Sequence, residues 1–254
     1  MMTTRVLTKL FFENLIRDKF FVFVIFSGLL FGSFSIIFNE ISYGATEMVV
    51  RSFCLGFVSI TMNFLGVFFG LSIIHSDSMK HSILLLICKP IRKFEIIISA
   101  VFAYIIAVLF SILVILIELH FILNMYEVAI TVPFLMGVLG IFFESIVLFI
   151  LSVLFRTFAN SLISAMFVFC LYWFSHSFST LIELTLFKSN LGLSSFMTIL
   201  SKILPDFSIF DFKHIAFHQS DYLDSIYYGS IYFVFTFLLI GSLLGFLFSN
   251  KDYD

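Results

Sequence analysis

The chain has 254 residues, 61% of them hydrophobic and only 12% charged. Soluble domains carry about twice that share of charge, so an ordinary water-soluble fold is excluded. The net charge of −2 leaves no electrostatic footprint for a nucleic-acid partner.

Only helices and closed barrels satisfy their backbone polar groups in lipid. Barrel strands alternate apolar and polar residues, whereas the apolar runs here are continuous, which selects helices. A spanning helix needs about 20 apolar residues. Six stretches qualify: 20–38, 50–74, 96–119, 132–155, 159–182 and 226–249. The expected fold is all-α: a polytopic membrane protein forming one membrane domain over 1–254. It has six transmembrane helices, an N-terminal interfacial helix, and both termini in the cytoplasm.

Residues 1–19 precede the first stretch. Val6, Leu7, Leu10, Phe11, Leu15 and Ile16 recur at helical spacing. Lys9, Glu13, Arg17 and Asp18 take the opposite side, with Glu13 and Arg17 an i,i+4 pair. The pattern predicts a helix lying in the cytoplasmic interface. Its charges also speak against a cleavable signal peptide.

Gly28 and Gly32, Gly66 and Gly70, and Gly241 and Gly245 form small-xxx-small steps within spans, which let helices pack closely. In span two, Ser59, Asn63, Gly66 and Gly70 share one face, which is expected to be buried against a neighbour. Glu144 sits mid-way along span four. An acid at that depth is costly and is a functional candidate by default. The alternative is a protonated Glu144 bonded to Asn63 or a serine as packing glue, since no basic partner is evident at that depth. Glu118, His120, His176 and Glu183 are expected near the outer boundary.

Between spans two and three, "HSDSMKHSILLLICKPIRKFEII" starts polar, passes through five apolar residues and turns at Lys89-Pro90. Five residues are too few to cross. A short helix over 78–88 is expected along the cytoplasmic surface, ended by Pro90. The outer segment 183–225 contains "DFKHIAFHQSDYLD", where Asp211, His214, His218 and Asp221 fall along one helical side. Two histidines at i,i+4 beside acids are able to hold a metal. The alternative is a polar cap at the outer interface, where Phe207, Phe210, Phe212 and Phe217 suggest a partly re-entrant segment. Cys54, Cys88 and Cys170 have no ligand spacing and read as free thiols.

Basic residues set the orientation. With the N-terminus inside, the cytoplasmic segments hold Arg5, Lys9, Arg17, Lys19, Lys80, Lys89, Arg92, Lys93, Arg156 and Lys251, against Arg51, Lys188, Lys202 and Lys213 outside. Cysteine labelling in intact cells is expected to reach a residue near Ser220. Labelling there only after the inner membrane is opened would overturn this topology.

The stretch "LLLICKPIRKFEII" resembles the loop between spans two and three in permeases of the type-two ATP-binding-cassette (ABC) exporters. That pattern is an acidic residue, a leucine-rich helix and a "k-P-i-s-R-x-E" turn. Asp77, Leu84, Leu85, Lys89, Pro90, Ile91, Arg92 and Glu95 match it by position. The layout of interfacial helix, six spans and long outer segment is similar too, as is "LPDFSIFDFK" before the last span. The chain departs from the pattern at Ser99-Ala100, where Gly-Lys is usual, and at Asp77, usually a glutamate.

The resemblance implies that this loop is a coupling element for a separate ABC ATPase subunit. Its residues would be Asp77, Leu84, Leu85, Leu86, Lys89, Pro90, Arg92, Lys93 and Glu95. It also implies a second permease copy, as a homodimer, in a bacterial cytoplasmic membrane. The chain has no Gly-rich loop ending in Lys-Ser or Lys-Thr, so ATP and Mg would be bound by the partner and this chain itself would be no enzyme. Two rival classes are an intramembrane lipid-modifying enzyme using Glu144 or His214 and His218, and a secondary transporter. No inverted repeat favours the latter.

Overall fold

The computed structural model describes residues 2–19, 21–22, 24–26, 30, 34, 46–73, 93–125, 130–183, 192, 195, 199, 204–212 and 222–250. Among these residues the protein is helical, without strands. The helices are α1 (Met2–Arg17), α2 (Thr46–Ser72), α3 (Lys93–Met125), α4 (Val132–Arg156), α5 (Ser161–Glu183) and α6 (Tyr222–Asn250), with a 3-10 turn at Phe207–Phe210 before α6. Helices α2, α3, α4 and α6 each contain a stretch long and apolar enough to cross a membrane. Helix α5 coincides with the fifth expected stretch, and its described apolar part runs Ser161–Ser177. The first stretch is described only in part, at positions that are helical.

Helix α1 buries Leu7, Phe11 and Leu15, one residue per turn, while Val6 faces out. Glu13 pairs with Lys9 at 3.8 Å, rather than with Arg17 as expected. Both partners are well exposed, so the pair adds only about 0.2–0.5 kcal/mol. The helix packs on the start of α3, where the Ser99 hydroxyl reaches the Thr4 carbonyl at 3.4 Å. Phe21, just beyond α1, stacks on Phe69 of α2 with ring centroids 5.5 Å apart.

Helices α2 and α4 make the most extensive contact in the bundle. The face carrying Gly66 and Gly70 is where they meet. A Cβ on Gly66 would lie 2.7 Å from the Ser145 carbonyl, and one on Gly70 would lie 2.5 Å from the Ser152 Cβ. Tyr104 of α3 stacks on Phe149 of α4 at 4.1 Å, and its hydroxyl bonds Ser145. The connection between α4 and α5 is only residues 157–160. The Thr157 hydroxyl bonds the Leu154 carbonyl at 2.6 Å, and the Arg156 guanidinium bonds the Ala159 carbonyl at 2.7 Å. So short a turn forces antiparallel neighbours.

The outward surface is apolar. Leu113, Phe121, Trp173, Phe174, Leu238 and Phe246 are all exposed. Such a belt is unfavourable in water at roughly 25 cal/mol per Å² but costs nothing against lipid tails. A Cβ on Gly241 would meet nothing within 4 Å, so the expected small-residue packing is not seen there among the described residues.

Candidate functional site

A cluster of polar side chains joins α2, α4 and α5 inside the bundle. Glu144 of α4 is 1% exposed and Asn63 of α2 is 5% exposed. The Asn63 Nδ2 donates to Glu144 Oε1 at 3.2 Å and lies 3.0 Å from the Tyr172 hydroxyl oxygen. One turn earlier on α2, the Ser59 hydroxyl oxygen lies 3.5 Å from the same nitrogen. His176 Nε2 completes the group at 3.2 Å from Glu144 Oε1. Tyr172 and His176 are an i,i+4 pair on α5, their rings edge-to-face with centroids 5.0 Å apart.

Register explains the meeting. Counting from the tight turn, Glu144 lies roughly 18 Å up α4 and His176 roughly 22 Å up α5, at 1.5 Å per residue. The two side chains therefore face each other at one level. Glu144 was expected without a basic partner, and this contact corrects that. Helical periodicity places residues on a face but carries no information on the relative height of two helices. The signal that was present is the i,i+4 pairing of Ser59 with Asn63 and of Tyr172 with His176, each within an otherwise apolar helix.

A non-helical wedge covers the cluster. Residues 204–212 enter between α4, α5 and α6, burying Phe207, Phe210 and Phe212. Asp206 caps the 3-10 turn by accepting from the Ser208 N–H at 2.9 Å, and its own N–H donates to the Tyr232 hydroxyl at 2.7 Å. Ser175 of α5 accepts from the Phe207 N–H at 2.9 Å and donates to the Pro205 carbonyl. Buried backbone outside a helix needs partners for its polar groups, and these bonds supply them at Pro205, Asp206, Phe207 and Ser208. Phe207 lies edge-on to Tyr172 at 5.5 Å. The wedge needs glycine on two sides: a Cβ on Gly140 would lie 2.3 Å from the Phe210 carbonyl and 2.8 Å from the Phe212 ring, and one on Gly229 would lie 2.4 Å from the Phe212 ring.

Chemically the cluster is a buried carboxyl that accepts from the Asn63 amide and touches an imidazole nitrogen, and that imidazole keeps 23% of its side chain exposed. Asn63 Oδ1 is buried and has no partner among the described residues. Of the expected coupling residues, Lys93 begins α3 and Glu95 lies in its first turn, its carbonyl accepting from the Ser99 hydroxyl at 2.6 Å. Asp77, Leu84, Leu85, Leu86, Lys89, Pro90 and Arg92 lie outside the described residues, as do His214 and His218. Among the described residues no group of three His, Cys, Asp or Glu side chains is arranged to hold a metal. Cys54 is buried and Cys170 exposed. No protein family, curated protein or solved structure matches the chain.

Proposed function

We propose that this chain is the membrane permease subunit of an ATP-driven exporter of the type-two ABC kind. It would move a lipid, an amphipathic compound or a peptide-like substrate, using ATP hydrolysed by a separate subunit. The observation that carries the reading is the "LLLICKPIRKFEII" pattern in the connection between α2 and α3. Both neighbouring helix ends support it. Helix α1 packs against the start of α3, and Phe21 against the end of α2. Gly70 of α2 approaches Ser152 of α4, which puts Arg156 at the same end of the bundle. That end thus gathers Arg5, Lys9, Arg17, Lys19 and Arg156, while Arg51 lies at the other. A cation-rich end is the cytoplasmic one by the positive-inside rule, where an ATPase would dock.

The docking segment is tested directly. Leu85→Ala combined with Leu86→Ala is expected to weaken ATPase co-purification roughly thirtyfold, since truncating buried interface anchors costs about 2 kcal/mol. Lys93→Ala should be milder and salt-dependent, as rim charges are. Full retention of the ATPase by the leucine variant would end this reading. The contact between Glu144 and His176 favours a second one, an intramembrane lipid-modifying enzyme, because an acid touching an imidazole is acid–base equipment. Lipid turnover by the purified chain, with no ATPase bound, would decide for it.

A further inference from the structure

We propose that Glu144 and His176 form a proton-binding site inside the helix bundle, with Asn63 and Tyr172 as its hydrogen-bond partners. The site takes up and releases one proton, and that proton sets the charge of the bundle interior.

The geometry carries this in three steps. First, two nitrogens converge on one carboxyl oxygen: Asn63 Nδ2, which donates, and His176 Nε2, whose role follows its tautomer, each lie 3.2 Å from Glu144 Oε1. With a neutral imidazole the pair has a net negative charge, which an apolar interior disfavours strongly. One added proton makes the pair neutral, either as carboxylate with imidazolium or as carboxylic acid with imidazole. Second, Asn63 is equipped for both forms. Its Nδ2 donates to the carboxylate, and its buried Oδ1, unpartnered among the described residues, is the acceptor that a carboxylic O–H requires once the amide turns over. Third, a path exists. Glu144 is sealed at 1% exposure, but His176 keeps 23% of its side chain exposed. The proton arrives at the outer edge of the imidazole and leaves the same way. No bond between heavy atoms forms or breaks.

Other polar groups face the pair from each neighbouring element. Helix α5 contributes the Tyr172 hydroxyl, helix α2 contributes Ser59 and Asn63, and Asp211, just past the 3-10 turn, acts on Tyr172 electrostatically. Asp206 is occupied by Ser208, and Tyr232 of α6 by the Asp206 N–H. A proton suits the site better than a metal, because no described trio of ligands is present.

The test uses the full chain in lipid nanodiscs, without any ATPase, so it stands apart from the exporter reading. Infrared difference spectra are recorded while pH is stepped between about 5 and 8, the window in which histidine exchanges protons. Wild type minus Glu144→Gln is expected to isolate a carboxyl or imidazole band that changes with pH by one proton. His176→Gln should move the midpoint of the remaining Glu144 band by at least one pH unit, about tenfold in proton affinity. A wild type silent over this window, or spectra unchanged by Glu144→Gln, would overturn the proposal. Should Glu144→Gln fail to fold, an unaltered titration in His176→Gln would overturn it equally.

Discussion

His176→Leu should destabilise the detergent-solubilised protein by about 3 kcal/mol, far more than Glu144→Gln. Removing the imidazole leaves the buried Glu144 carboxyl short of a partner, which costs about 1–3 kcal/mol, more for a charged group. The variant also gives up the edge-to-face contact of His176 with Tyr172. Glu144→Gln takes away the ionisable group itself. The amide keeps the size and most of the hydrogen bonding toward Asn63 and His176, so a loss of about 1 kcal/mol is expected. The double variant should recover much of what His176→Leu loses, since residues in contact are not additive. Denaturant unfolding of the four proteins measures the cycle. A His176→Leu variant as stable as wild type would show that the contact contributes nothing.

Gly70→Ala should separate α2 from α4. The new Cβ would stand 2.5 Å from the Ser152 Cβ and 2.6 Å from the Phe149 carbonyl, and backbone cannot swing aside as a side-chain tip does. Overpacking of this kind costs about 1–3 kcal/mol. The same helix supplies its own control. A Cβ on Gly56 meets nothing within 4 Å. Gly56→Ala should therefore be neutral, or stabilise by up to about 1 kcal/mol through helix propensity alone. Thermal unfolding of the two variants side by side is the measurement. Equal behaviour would mean that the close approach of α2 and α4 is not what holds them.

Much of the architecture could be read from single-helix patterns. The buried face of α2 was legible because Ser59, Asn63, Gly66 and Gly70 recur at helical spacing along one side of a largely apolar helix. The stripe of α1 was legible at Leu7, Phe11 and Leu15, although Val6 belongs to the exposed side. The bond between Asn63 and Glu144 was within reach, since an acid in an apolar bundle must find a donor. His176 was not, because its height relative to Glu144 depends on the length of the turn at 157–160 and on how α5 starts at Ser161. The wedge was half legible. Its aromatic residues pointed to an apolar setting, but nothing local to "LPDFSIFDF" announces that Gly140 and Gly229, on two different helices, leave room for Phe210 and Phe212.

That wedge ties together residues that synthesis delivers at different times. Gly140 emerges long before Phe212, and Gly229 only afterwards. At about 5–20 residues per second, the groove on α4 waits on the order of ten seconds for its occupant. The occupant then needs one more helix before its second wall exists. The order of insertion is thereby written into the packing: α4 and α5 can enter as a hairpin, but the wedge can seat only when α6 closes behind it. A chain cut before Tyr222 loses more than its last span, because Phe212 loses the Gly229 wall and Asp206 loses the Tyr232 hydroxyl.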